Sequence, residues 1–274
     1  MRLIRLIPLV LIPIALPLSP VVLRGQDAQA TRDDARWVEQ CRERDAGDDL
    51  RACEVLVETV PQAAARIIVE ASQNGAVEVR GWDQPHIEVH ARIEAHARTM
   101  EEATRLVRNV RLDLSPDRIR AVGVEDRSGG VGYEILVPRR SGLEVATHNG
   151  PLKVEGLESD MQLSTDNGPL ALVGLGGSVH ARAVNGPLHV SLSGDRWRGA
   201  GLDAETVNGP VHLEIPRVYS ADLEIGTHNG PFVSELPLML TSGEIPDRLH
   251  VQLGDGGVAI RVVTTNGPVK VSRR

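Results

Sequence analysis

Histidine and aspartate side chains recur at matched positions in this chain of 274 residues, where they could bind a metal ion. His148 and Asp166 are 18 residues apart. In stacked strands they would come within about 5 Å of each other, whereas His228 lies further along the chain. Because a structural metal ion needs a closed shell of several ligands, a solvated outer row is the simpler interpretation of these residues.

A second pair of histidines, His189 and His212, could also stack, because each lies four residues after the asparagine of an Asn-Gly-Pro motif. Lys153 and Lys270 occupy the same position in other copies of the motif. An exposed polar face explains all four residues, so the sequence predicts neither a bound metal ion nor a cofactor.

The glycine-rich loop at residues 193–201 places Trp197 between Arg196 and Arg198, which makes it a speculative ligand-binding site. An exposed tryptophan flanked by arginines can stack on a sugar or hold an anionic polymer. Alternatively, the ring folds back over the apolar edge of its own loop. That second arrangement is the more common one, since large rings seldom stay exposed.

Catalytic motifs are missing from the sequence. It contains no Gly-x-Ser-x-Gly, no His-Glu-x-x-His, no phosphate-binding loop and no calcium-binding repeat. Asp203 and Glu205 point the same way along one strand, but no second row of acids faces them, so they read as ordinary surface charge. The sequence predicts a protein that is not an enzyme, with a carbohydrate-active β-helix enzyme as an alternative.

An Asn-Gly-Pro motif occurs six times and organises the chain. Residues two, four and six positions before each asparagine are mostly apolar or Thr, and the alternation resumes after each proline, as in half-buried strands. A unit of strand, corner and strand that recurs about every 20 residues is typical of repeat architectures. The intervals are 18, 18, 23, 21 and 37 residues between the corner asparagines Asn149, Asn167, Asn185, Asn208, Asn229 and Asn266.

Two architectures compete for this repeat. Asn-Gly between alternating strands normally indicates a two-residue hairpin, but the following proline has no N–H to close such a turn. In a β-solenoid the corner bonds to the repeats above and below, so proline is tolerated. We therefore predict an all-β fold, a β-solenoid or β-roll of stacked two-strand repeats of about 18–21 residues. Its aligned asparagines would form an amide ladder, and the threonines two residues earlier a second ladder.

The N-terminal 30 residues read as a signal peptide. Arg2 and Arg5 precede an uncharged apolar run, and residues 28–30 form an Ala-x-Ala cleavage pattern. A retained membrane anchor is the alternative. The cysteines that follow, Cys41 and Cys53, are expected to pair in an exported chain. Their disulfide would stabilise the fold by about 3 kcal/mol.

Residues 31–63 form a polar N-terminal segment, and residues 64–274 form one β-repeat domain. A single helix is predicted near residues 100–110, where Thr99 and Glu102 make a capping box, and it would cap an open end of the sheet. The last strand ends with Lys270, Arg273 and Arg274, charges that would protect a sheet edge. No basic stripe with aromatic residues indicates a nucleic-acid partner, and no second apolar span follows the leader.

The repeated Thr-x-Asn-Gly corners, the Asn-Gly-x-Val-x-Val-x-Gly-Trp-Asp segment at residues 74–83, the helix and the leader resemble the bacterial β-repeat family called "putative adhesin". That family is related to the head domain of autotransporter adhesins. The resemblance spans about residues 64–274. It implies a β-solenoid-like fold, an exported location (periplasm, cell surface or medium) and a binding role, and it transfers no catalytic residues. A polysaccharide or an envelope protein is the expected partner; the alternative role is that of an envelope structural or stress-linked protein that docks to another protein.

Overall fold

The computed structural model describes residues 25–44, 47–124, 127–236 and 247–274. Most of the predicted signal peptide therefore lies outside the described residues. Its Ala-x-Ala pattern falls within the first turns of a helix. Within the described residues, no helix has the length and apolar character needed to cross a membrane.

The described chain is mostly β-structure, with two helices and twenty strands. In chain order these are α1 (Gly25–Glu43), β1 (Leu50–Val60), β2 (Arg66–Glu70), β3 (Val77–Trp82), β4 (Ile87–Ala97), α2 (Met100–Asn109), β5 (Arg111–Ser115), β6 (Arg118–Val122), β7 (Gly129–Pro138), β8 (Gly142–Asn149), β9 (Leu152–Glu155), β10 (Glu158–Asn167), β11 (Leu170–Val173), β12 (Gly176–Asn185), β13 (Leu188–Ser191), β14 (Gly201–Asn208), β15 (Val211–Ile215), β16 (Ala221–Asn229), β17 (Phe232–Ser234), β18 (Arg248–Leu253), β19 (Ala259–Asn266) and β20 (Val269–Arg273).

These strands form two mixed sheets of ten strands each. Sheet I has the order β1-β4-β7-β3-β9-β11-β13-β15-β20-β17, and sheet II has the order β18-β16-β19-β14-β12-β10-β8-β2-β6-β5. At every Asn-Gly-Pro motif, the strand before the corner belongs to sheet II and the strand after it to sheet I. The all-β class and the predicted unit of strand, corner and strand are therefore confirmed.

The repeats lie parallel and in register. Leu163 of β10 is aligned with Val145 of β8 and with Ala181 of β12. Alternate side chains of each strand point inward, and those of both sheets join one hydrophobic cluster. Its fully buried members include Leu143, Leu152, Met161, Leu170, Leu172 and Leu188. The core is thus built from aliphatic side chains, as the low aromatic content predicts.

The corners bond to one another rather than closing on themselves. The N–H of Gly168 donates to the carbonyl oxygen of Asn185 at 3.0 Å, and the N–H of Leu170 donates to that of Pro187 at 2.9 Å. The same pair of bonds links the neighbouring corners on either side. Proline is tolerated in this arrangement, because no hydrogen bond requires a backbone N–H group at its position.

The last repeat does not add to the end of the stack. Strand β19 lies between β14 and β16, and β20 lies between β15 and β17. The expectation that Lys270, Arg273 and Arg274 protect a sheet edge is therefore wrong. Strand β18 pairs antiparallel with β16 at the edge of sheet II. The chain then turns back, so that β19 and β20 lie within the two sheets rather than at their ends. There residues 269–271 are paired with β15 on one side and with β17 on the other.

Helix α2 is the helix that the capping box predicts. The side chain of Thr99 accepts a hydrogen bond from the N–H of Glu102 at 3.2 Å. Ala103, Leu106 and Val107 are buried on its inner face, and the helix packs on β1 and β4. Its position over two strands of sheet I agrees with a covering role.

Helix α1 and strand β1 were not predicted, so the expectation of a single helix is wrong. Strand β1 pairs antiparallel with β4 along its whole length, and α1 packs on both strands. The predicted disulfide is confirmed: Cys41 in α1 is bonded to Cys53 in β1. The helix escaped prediction because its sequence is polar. It is held by the disulfide and by ion pairs more than by an apolar face.

Candidate functional site

The corner asparagines form one row of amide hydrogen bonds along the outside of the stack. The Nδ2 of Asn167 donates to the Oδ1 of Asn149 at 3.0 Å, and Asn185 donates to Asn167 at the same distance. The row continues, with bonds of 2.9–3.2 Å, through Asn74 at one end and through Asn208, Asn266 and Asn229 at the other. The amides satisfy one another, so this row serves the fold.

The threonine row behaves differently from the expected second ladder. The hydroxyl of Thr206 donates to the carbonyl oxygen of Gly186 at 2.8 Å, and that of Thr264 donates to Gly209 at 2.9 Å. The hydroxyls of Thr165, Thr206, Thr227 and Thr264 therefore reach a glycine of an adjacent corner rather than another threonine, whereas the buried hydroxyl of Thr147 makes no hydrogen bond within the described part of the chain. These bonds pin the corners to the strands beside them.

The outer face of sheet II carries two adjoining depressions. One has a volume of about 370 Å³ and is lined by residues that include Glu144, Gln162, His180, Arg182, Asp203 and Glu205. A second, of about 360 Å³, shares Arg182 and Glu205 and extends to His228, Asp247, Arg248 and Arg261. Together these residues define what we call the sheet II groove. It crosses β8, β10, β12, β14, β19 and β16 at right angles to the strands.

Charges of both signs alternate in the sheet II groove. The guanidinium of Arg261 contacts Asp203 at 2.5 Å and Glu224 at 3.6 Å, and Arg182 is paired with Glu205. Burial lowers the pKa of Arg261, but the hydrogen bond to Asp203 and the charges of Asp203, Glu205 and Glu224 together outweigh burial and raise the pKa. Asp203 and Glu205 are thus held by arginines, and the groove offers donors and acceptors side by side rather than a field of one sign.

Two exposed histidine–aspartate pairs lie on the side of the stack near the corners. His148 Nδ1 lies 2.7 Å from an oxygen of Asp166, so the sequence-based estimate of their proximity is confirmed. His228 does not join them; its partner is Asp247, at 2.8 Å. Each pair provides two ligand atoms, fewer than a metal ion needs.

The histidines His189 and His212 do stack on the outer face of sheet I. Their ring centroids are 5.2 Å apart, in an edge-to-face arrangement. Sequence reasoning missed their neighbour Glu214, which lies two residues after His212 on β15 and therefore points the same way. Burial is the main cause that lowers the pKa of His189; His212 and Arg274 act in the same direction, and Glu214 opposes them.

The structure contradicts a stacking role for Trp197. The ring is only 5% exposed, and its Nε1 donates to the carbonyl oxygen of Gly177 at 3.0 Å. Arg196 and Arg198 are exposed on either side, and Arg198 pairs with Glu158 at 2.5 Å. The ring folds over the apolar end of its loop because burial removes its large apolar surface from water.

Replacing Trp197 with Ala should lower the free energy of unfolding by about 3–5 kcal/mol, as for other buried aromatic side chains. Urea denaturation of the purified protein measures this change. The exposed neighbour Arg196 provides the control, because Arg196→Ala should change the free energy by less than about 0.5 kcal/mol. Unchanged stability in Trp197→Ala would contradict the buried role.

A buried charged cluster, unexpected from the sequence, lies between α1 and sheet I. His90, only 3% exposed, contacts Asp34 of α1 through Nδ1 and Glu88 through Nε2 at 2.7 Å. Burial alone would lower the pKa of His90, but the hydrogen bonds to the two carboxylates raise it to about 9. The pKa of Asp34 is lowered, since the bonds from His90 and Arg92 outweigh its burial.

The cluster continues into the neighbouring strand. Arg92 contacts Asp34 at 3.1 Å and Glu134 of β7 at 2.6 Å. Arg80 of β3 reaches the other oxygen of Glu134 at 3.2 Å. Every one of these charges has an opposite partner, so the cluster fixes α1 on the sheet.

No protein-family model and no curated protein matches the chain. Among solved structures, it is similar to a "putative cell adhesion protein" from Clostridium sporogenes ATCC 15579, with a TM-score of 0.38 and 11% identity over 81% of this chain and 100% of that one. It is also similar to a "putative adhesin" from Bacteroides fragilis NCTC 9343, with a TM-score of 0.35 and 7% identity over 81% of this chain and 97% of that one.

Proposed function

We propose that this protein is an exported, non-enzymatic binding module whose β-solenoid-like stack presents the sheet II groove to an extended polysaccharide. The observation that carries the proposal is the continuity of the groove. Its two depressions share Arg182 and Glu205 and together cross six parallel-aligned strands. A site of this shape suits a polymer better than a compact molecule.

The chemistry of the groove also favours a polyhydroxylated ligand. Carboxylates accept and guanidinium groups donate hydrogen bonds, and a sugar hydroxyl does both. His180 and Arg182 are exposed on β12 in the middle of the groove. Because equivalent rows recur at the strand spacing of about 4.8 Å, many weak contacts can act together along one chain.

Two chemical features of the chain support export. The Cys41–Cys53 disulfide suits an oxidising compartment, and the apolar leader with its Ala-x-Ala pattern suits a secreted precursor. The pairing of Asp203 and Glu205 with Arg261 and Arg182 supports a role other than acid–base catalysis, since both carboxylates are engaged in ion pairs on the outer face of sheet II.

Retention of the purified protein on immobilised polysaccharides tests the proposal. We expect saturable retention on one polymer class, and a loss of affinity of at least about tenfold, or about 1.4 kcal/mol, in the double variant His180→Ala, Arg182→Ala. Lys270→Ala is the matched control, because it removes an exposed charge from sheet I. Equal retention of the double variant and the wild type would contradict the groove.

Two other outcomes would redirect the assignment. Co-purification of one envelope protein, with no polymer retained, would favour the scaffold role. New reducing ends in the polymer would favour a carbohydrate-active enzyme.

A further inference from the structure

The outer face of sheet I holds a cluster of three potential metal ligands, His189, His212 and Glu214. Strands β13 and β15 are parallel neighbours, and their pairing places His189 directly opposite His212. Glu214 follows on the same face of β15. One ligand atom from each of the three side chains lies within 4.8 Å of the other two. We call this set the His–His–Glu cluster.

The spacing is close to what a transition-metal ion requires. Zinc binds imidazole nitrogens and carboxylate oxygens at about 2.0–2.2 Å, so two ligands of a tetrahedral ion lie about 3.3 Å apart. His189 Nε2 is already 3.9 Å from an oxygen of Glu214. Small side-chain rotations therefore close the site, while the backbone of both strands stays fixed by its hydrogen bonds.

Neighbouring hydroxyl groups already orient two of the ligands. Ser191 Oγ donates to a carboxylate oxygen of Glu214 at 3.1 Å, and Ser272 Oγ lies 3.0 Å from Nε2 of His212. Such outer contacts orient metal ligands in established sites. Ser191 is only 4% exposed, so its hydroxyl group is fixed in position beside Glu214.

The charges around the cluster also bear on metal binding. Lys153, in the same row, is engaged by Glu78 at 2.8 Å and Glu155 at 3.0 Å, away from the histidines. On β11, the neighbour of β13 on the side away from β15, the small residue Ala171 is aligned with His189 and leaves that side of the histidine open. On β20, Lys270 is aligned with His212 of β15. Its positive charge lowers the affinity of the cluster for a cation but removes no ligand.

We propose that the His–His–Glu cluster binds a divalent transition-metal ion of borderline softness, the class that imidazole and carboxylate ligands select. Two histidines and one carboxylate leave a coordination position open, as in sites that keep a water molecule or accept an outside ligand. This site is separate from the sheet II groove, which lies on the other sheet.

Isothermal titration of the full-length protein, without a histidine tag, against ZnCl₂ tests the site. We expect a single saturable Zn²⁺ per chain. His212→Ala and Glu214→Gln should each weaken binding by about 100-fold, and Ser191→Ala, which loses only an orienting contact, by about tenfold. His148→Ala is the matched control, because it breaks an exposed histidine–carboxylate pair with no third ligand, and it should leave the affinity unchanged.

Melting temperature gives a second measurement that does not depend on heats of binding. Zn²⁺ at a concentration that just saturates the wild type should raise its Tm, since the ion binds the folded state, and should raise that of Glu214→Gln much less. This nearly isosteric variant keeps the test valid if His212→Ala fails to fold. Absence of saturable Zn²⁺ binding, or binding that Glu214→Gln and His212→Ala both retain, would overturn the proposal.

Discussion

Replacing Gly209 with Ala should lower the free energy of unfolding by about 3 kcal/mol or more, the range of severe overpacking. A Cβ atom at this position would lie 2.0 Å from the carbonyl oxygen of Gly186 and 2.5 Å from its carbon. Both atoms belong to the backbone of the adjacent corner, so no side-chain rotation relieves the collision. Urea denaturation followed by circular dichroism measures the loss.

Gly257→Ala separates this collision from the ordinary cost of a glycine conformation. Gly257 has a φ of 138°, which disfavours alanine, but a Cβ there meets no atom within 4 Å. We expect that variant to cost about 1–2 kcal/mol from backbone conformation alone. If Gly209→Ala is no more destabilising than Gly257→Ala, close stacking of the corners is not what requires glycine.

The repeats were predictable because each carries its own local signal. Alternation around every corner assigns the strands, and proline after glycine argues against a tight hairpin. Helix α2 was equally predictable, since its capping box and its apolar face both lie within ten residues. Where neighbours in sequence are also neighbours in space, as at Asn149, Asn167 and Asn185, the register follows from the spacing.

The order of the last strands could not be predicted in the same way. The interval of 37 residues before Asn266 fits a last repeat at the end of the sheets and equally one between two earlier strands. The spacing alone does not specify which side of a strand is unpaired. Insertion of β19 between β14 and β16 depends on long-range pairing and on β18 at the outer edge. Helix α1 is a similar case, since its partners His90 and Arg92 are more than 50 residues away.

The candidate metal ligands were found only in part. Comparing positions at a fixed offset from the corner asparagine identifies His189 and His212, but it passes over Glu214 because that residue sits two positions further along. Residues two apart on a strand share a face, so the position of Glu214 beside His212 follows from the alternation of β15. The burial of Trp197, by contrast, depends on how its loop folds, which no local pattern specifies.

Raising the pH from 6 to 10 should remove about 3 kcal/mol of stability contributed by His90. Its pKa is about 9 in the folded protein, above the value of about 6.5 expected in the unfolded chain. A raised folded-state pKa stabilises the fold fully below the unfolded pKa, and this contribution is lost as the pH rises through 9. The shift of about 2.5 pKa units corresponds to roughly 3 kcal/mol.

The comparison of wild type with His90→Gln isolates this contribution, because other titrating groups cancel in the difference. We expect the variant to be less stable by about 3 kcal/mol at pH 6 and by much less at pH 10. His148→Gln is the control: it removes an exposed pair with Asp166 and should change stability by less than about 1 kcal/mol at either pH. A stability difference between wild type and His90→Gln that stays constant from pH 6 to pH 10 would show that His90 is not held charged by Asp34 and Glu88, and that α1 is anchored chiefly by its disulfide and by Arg92.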